Sequence, residues 1–169
     1  EKPLAVSSEE AQILTDAAAA KGLVATVPFV YRFHPLVREA RDRVATGKVG
    51  RIFSVRGSYL QDWLVESTDW NWRVDPSSSG ASRAFGDIGS HLVDLMEFIT
   101  GDRIVALHAL TGIVHPERNG VMVTTEDEAV LLFKSATGVI GTLMVSQVAA
   151  GRKNRLLLDI SGSNESIEF

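Results

Sequence analysis

The sequence contains no cysteine. This excludes disulfides, thiolate metal sites and a cysteine nucleophile, and is compatible with a reducing, cytoplasmic setting. No run of about 18 apolar residues occurs, so no membrane-spanning helix is expected. Glu1-Lys2-Pro3 lacks both the apolar core of a signal peptide and an initiator Met, and the chain reads as part of something longer. There is no basic excess: 17 Lys and Arg stand against 21 Asp and Glu, for a net charge of −4. That balance argues against a nucleic-acid partner, which needs a concentrated basic face. Three catalytic or phosphate-binding signatures are missing as well. Without G-x-S-x-G there is no serine-hydrolase elbow, and without G-x-x-x-x-G-K-[ST] no P-loop. Without G-x-G-x-x-G the usual dinucleotide fingerprint is absent.

What is present is an ordinary folding composition. At 45% hydrophobic and 22% charged over 169 residues, the chain is neither disordered nor too short for a sizeable core. Ser7 and Glu10 form a capping box ahead of an alanine-rich helix over 7–21, which Gly22 ends. The apolar run 23–27 reads as a short buried strand. A second helix spans 35–46, with Pro35 in its first turn and Leu36, Val37, Ala40 and Val44 as its apolar stripe. Residues 51–60 read as a strand with Phe53, Val55 and Tyr59 on one face. Residues 61–83, rich in tryptophan, are irregular, and a loop of that length is usually functional. A third helix runs over 84–100. The period then changes from 3.6 to 2, predicting strands at 103–113, 125–134, 139–148 and 155–161, with hairpin turns at 135–138 and 151–154. The fold class expected is α+β: the end of an α/β unit, then a mostly antiparallel open sheet covered by helices.

The densest polar group lies on the third helix. Asp87 and His91 stand at i, i+4 in GDIGSHLVDL, and Asp94 is close to the same stripe. A carboxylate beside a histidine can orient it and raise its pKa, which suits proton transfer near neutral pH. Gly86 and Gly89 each weaken a helix by roughly 1 kcal/mol relative to alanine, which fits a place where something approaches the backbone closely. Spacing alone leaves a second reading open, with Asp87 as a cap and His91 exposed or hydrogen-bonded. No motif selects a third ligand from His34, His108 or His115, so no metal site is expected. Arg32 and Arg73 could hold an anion or pair with surface acids. Trp70 and Trp72 could stack on a sugar or nicotinamide, or pin their loop.

EKPLAVSSEEA, VYRFHP, GKVGRIFSVRG and GDIGSHLVDL, in that order and followed by TEDEAVLLFKSATGVIGTLMVS, resemble the glucose–fructose oxidoreductase, inositol dehydrogenase and rhizopine-catabolism family. EKP followed at this distance by G-D-x-G-x-H-x-x-D is the specific part. The resemblance implies a dinucleotide-binding domain ending within 1–33 and a substrate domain over 34–169, of the dihydrodipicolinate-reductase-like C-terminal type. It implies NAD or NADP as cofactor and a sugar or polyol as substrate. Lys2, Asp87 and His91 then match the catalytic positions, with Asp87, His91, Trp70 and Trp72 at the substrate. Glu1, Lys2, Pro3, Arg32 and Arg73 are expected near the cofactor. A homo-oligomer formed through the open sheet is also implied. The stretch SSSGASRAFGD departs from the family's run of glycines, keeping only Gly80. With the glycine-rich turn absent, this chain alone should not turn over. The alternative is a non-catalytic sheet module for dimerisation or binding that has no cofactor.

Overall fold

The computed structural model describes residues 2–169. Its helices are α1 (Ser8–Ala20), α2 (Pro35–Ala45), the single turn α3 (Pro76–Ser79) and α4 (Ser90–Thr100). A π-helical turn, Phe85–Gly89, leads directly into α4. The strands are β1 (Ile52–Leu60), β2 (Ile104–Gly112), β3 (Glu117–Arg118), β4 (Val121–Met122), β5 (Glu128–Ser135), β6 (Ile140–Ser146), β7 (Arg155–Gly162) and β8 (Ser166–Glu168). Six of them form one sheet in the order β2-β5-β6-β1-β7-β8, and β3 with β4 make a separate hairpin.

The sheet is antiparallel except at its centre, where β1 runs parallel to β6. Consequently 151–154 is not a hairpin turn. Strands β6 and β7 lie on opposite sides of β1, and their link crosses over its end. The turn at 135–138 does join neighbours β5 and β6. Close packing at the centre depends on Gly141, where an added Cβ would lie 2.4 Å from the Val55 carbonyl oxygen.

Helices α2 and α4 cover one face. Val37, Ala40, Leu92, Leu95, Met96 and Ile99 meet Val55, Leu131, Phe133, Leu143, Val145, Leu158 and Ile160 in one core. The strict alternation of burial along β5 is the two-residue period of a half-covered strand. Phe53 departs from its expected face and is 49% exposed, because the β1–β7 register shifts between Ile52 and Ser54 and such a bulge re-aims the side chain.

The N-terminal part differs from expectation. No strand forms at 23–27, and Val24 is 94% exposed. A buried strand needs neighbours for its backbone groups, and no strand among the described residues pairs with this stretch. Helix α1 forms with the expected Ser7 cap but buries none of its residues. The β3–β4 hairpin was not anticipated. Its turn is Asn119-Gly120, both at positive φ, the Asn-Gly pair that a two-residue hairpin turn favours.

Candidate active site

One end of α4 gathers the polar residues. Glu126, two residues before β5, accepts hydrogen bonds from Ser82 Oγ at 2.8 Å, Arg83 N at 3.0 Å and Phe85 N at 2.8 Å. It thereby satisfies donors at the start of the π turn, and its negative charge suits a helix N-terminus. Within that turn the Ser90 N–H bonds the Phe85 carbonyl, so Asp87 and His91 are separated by widened rather than regular α-helical backbone. Inserted π turns are often found at functional sites. Gly89 is required here, since a Cβ would sit 2.3 Å from the Phe85 ring. The close approach is thus made by the chain itself. At Gly86 the nearest atom to an added Cβ is Ser82 Oγ at 3.8 Å.

Lys2 reaches this turn from the N-terminal segment. Its Nζ lies 2.8 Å from Asp87 Oδ1 and also donates to the Asp87 carbonyl. The Lys2–Pro3 peptide is cis. Arg73 Nε approaches the same Oδ1 at 3.4 Å while its guanidinium lies 4.4 Å from the centre of the Trp72 ring. Gln147 Nε2 donates to the other oxygen, Oδ2, at 3.0 Å. Asp87 is therefore the hub of the site rather than a simple cap.

His91 is 8% exposed. It packs edge-on against Phe29 and Tyr31, with ring centres 5.7 and 5.1 Å away, and tilted against Tyr59 at 6.2 Å. Its Nδ1 is buried without a hydrogen-bond partner in the protein. The carboxylates were expected to raise its pKa, but the direction is the opposite. Burial holds the imidazole below its ordinary value and the Lys2 charge adds to this, against the opposing pull of Asp87 and Asp94. Asp94 is bound elsewhere, receiving both Nε, at 2.9 Å, and Nη2 of Arg32. Burial and the Tyr31 hydroxyl push the Tyr59 phenol up, and these two hydroxyls are 2.7 Å apart.

A cleft of about 770 Å³ opens beside Lys2 and Asp87, walled by residues 2–6, Trp72, Arg73 and most of the stretch from Ser78 to Gly86. Pro3, Trp72 and Arg73 thus line it, whereas Trp70 does not, although it is 46% exposed. Arg32 lies outside this lining, its charge spent on Asp94 and its guanidinium 5.0 Å from the Phe98 ring centre. Glu1 lies outside the described residues. No cluster of three metal-ligating side chains occurs among the described residues. His115 Nε2 instead contacts the Val65 carbonyl at 2.7 Å. Gln147, Tyr31, Tyr59 and Glu126 escaped the sequence reading. Only the last carried a local signal, an acidic pair directly before a strand.

A lysine–carboxylate pair thus lies beside a buried imidazole, at the rim of an open sheet and next to a walled cleft. The chain belongs to the GFO/IDH/MocA family: residues 37–168 match the GFO/IDH/MocA C-terminal domain. A levoglucosan dehydrogenase of Pseudarthrobacter phenanthrenivorans is 34% identical over an alignment taking in all of this chain and 48% of the relative. Among solved structures, an oxidoreductase domain protein from Kribbella flavida superposes with a TM-score of 0.94 at 40% identity, covering 99% of this chain and 46% of that one. Levoglucosan dehydrogenase in complex with NADH and levoglucosan also gives 0.94, at 35% identity and the same coverage. The chain spans just under half the length of these relatives. No helix among the described residues is long and apolar enough to cross a membrane.

Proposed function

We propose that this chain carries the substrate-handling half of an NAD- or NADP-dependent dehydrogenase that moves hydride between a sugar or polyol hydroxyl carbon and nicotinamide. The observation that carries this reading is the Lys2–Asp87 pair at 2.8 Å beside a buried His91 held below its ordinary pKa. The levoglucosan and NADH held by the similar dehydrogenase support it. Residues 1–33 are then the end of the dinucleotide-binding domain and 34–169 the substrate domain.

The cleft residues fit a nicotinamide nucleotide. Leu4, Val6, Trp72 and Phe85 offer apolar walls, Arg73 and the serine hydroxyls suit anionic and ribose groups, and Gly86 leaves its side of the cleft open. When bound, the nicotinamide supplies the hydride acceptor. This chain's residues manage the proton and the charge. Neutral His91 takes the hydroxyl proton, a transfer its lowered pKa keeps available at neutral pH. Lys2 Nζ, fixed by Asp87, faces the negative charge that develops on the substrate oxygen.

The test is oxidation of a panel of neutral sugars and polyols by the full-length protein with NAD⁺ and with NADP⁺. Lys2→Ala should lower the hydride-transfer rate by roughly 10²-fold or more, the scale of losing one preorganised charge partner. An unchanged rate removes Lys2 from the mechanism. The 169-residue chain alone should be inactive with either cofactor, since it contains no G-x-G-x-x-G turn.

The uncovered sheet face supports self-association. Leu110, Val130, Leu132, Ile140 and Met144, on β2, β5 and β6, share that face and are all 39% exposed or more, an apolar surface of the kind that marks an interface. Sedimentation velocity should show an oligomer that Leu132→Lys dissociates. A monomer at all concentrations rules this out.

A further inference from the structure

Gln147 is the first residue after β6, and its backbone is held on both sides. Its N–H donates to the Asp127 carbonyl at 3.0 Å, and its own carbonyl accepts from Leu64 N at 3.1 Å. The side chain is 0% exposed. Its Nε2 donates to Asp87 Oδ2, while its Oε1 is buried with no partner in the protein. Reversing the amide would set two oxygens 3.0 Å apart, so the donor must face Asp87. A buried acceptor left unpaired is unfavourable, and a leucine would fill the same volume without one. What the amide provides in return is a neutral donor on the oxygen that Lys2 does not hydrogen-bond.

Each oxygen of Asp87 therefore carries a donor from the protein. Oδ1 faces Lys2 and Arg73, and Oδ2 faces Gln147. The other titratable groups whose charges meet it are His91 on α4 and Tyr59 on β1. Resting on the dehydrogenase reading above, we infer that Gln147 is a positioning residue. By donating to Oδ2 while Lys2 holds Oδ1, it locks the Asp87 carboxylate in one orientation and keeps both oxygens from accepting the substrate proton, which leaves that proton to His91. Gln147 itself touches neither substrate nor cofactor in this arrangement. It acts through Asp87.

Three measurements on the full-length protein test this. First, with no ligand added, one Gln147 side-chain amide proton should resonate downfield in ¹H–¹⁵N NMR spectra and lose that shift in Asp87→Ala. An amide indifferent to Asp87→Ala overturns the contact. Second, Gln147→Leu should lower kcat by about tenfold, the loss of one charge-assisted hydrogen bond, with KM within about threefold. An unchanged kcat overturns the role.

Third, Gln147→Glu separates positioning from packing. When protonated, the introduced carboxyl can donate to Oδ2 as the amide does; when ionised, it repels Asp87. Its turnover should fall as pH rises, over the range where the unaltered enzyme gains activity through deprotonation of His91. A profile lowered uniformly but parallel to that of the unaltered enzyme indicates packing alone and overturns the role. Failure of the dehydrogenase reading looks different: the unaltered protein oxidises no polyol at any pH. The kinetic role then falls with it, while the amide signal still decides the contact.

Discussion

Replacing His91 by alanine in the full-length enzyme should lower kcat by roughly 10²- to 10⁴-fold, the usual contribution of a positioned general base, and leave nicotinamide affinity nearly unchanged. His91→Gln should lose as much while refilling the space among Phe29, Tyr31 and Tyr59, which separates lost chemistry from a lost contact. A collapse of cofactor binding with chemistry intact would give His91 a different role. The pH dependence follows from the direction of its shift. In the proposed reaction the acting form is the neutral imidazole, and burial together with Lys2 favours that form. Turnover should therefore decline only below the ordinary imidazole value of about 6.5, and the His91 variants should lack that acid limb. Stability has the same sign. The folded state binds fewer protons at His91 than the unfolded chain does, so its contribution is present above the unfolded pKa and is lost as pH falls through that value toward the lower folded one.

The largest effect on stability should come from Asp127→Ala. Asp127 is 0% exposed and accepts from the guanidinium groups of Arg83 and Arg118, both themselves buried, and from Val114 N and His115 N. Burial alone would raise its pKa, but these donors outweigh it and hold the carboxyl lowered. Removing the anion strands two buried cations, at about 3–5 kcal/mol. Urea unfolding of the variant should show this as a reduced midpoint, whereas a change below about 0.5 kcal/mol would mean the cations find other partners. In the unaltered protein the stabilisation is complete at neutral pH. It is lost as pH falls below the ordinary aspartate value toward the lowered one. Arg118 also donates to the Leu64 and Glu66 carbonyls, so the substitution should loosen the loop that carries Trp72 and Arg73.

Elements with local determinants were legible in the sequence. The Ser7 cap, Pro35 at a helix start and the alternation along β5 each encode their structure within a few residues. The order of strands was not legible, because inserting β1 between β6 and β7 depends on pairing across most of the chain. Apolarity at 23–27 predicted burial, but burial also needs a partner, and periodicity does not report one. In the site, Lys2, Asp87 and His91 were found through motif spacing. Gln147 was not, since a lone glutamine after a strand becomes meaningful only when its Nε2 is seen on Asp87. The direction of the His91 shift was missed for a related reason. Sequence shows the carboxylates near it along the helix, but not the aromatic enclosure contributed by residues 29, 31 and 59.

The central position of β1 also shapes how the chain acquires its structure. During synthesis, residues 52–60 emerge well before the segments that flank them, 140–146 on one side and 155–162 on the other. Hairpins such as β5–β6 can close early over a short turn, but the middle of the sheet must wait for distant contacts. Topologies dominated by such pairings fold slowly. Until then β1 presents an unpaired, largely apolar ribbon to other nascent chains, which is a hazard for association. The ribosome thus releases a strand destined for pairing on both sides before either of its neighbours exists.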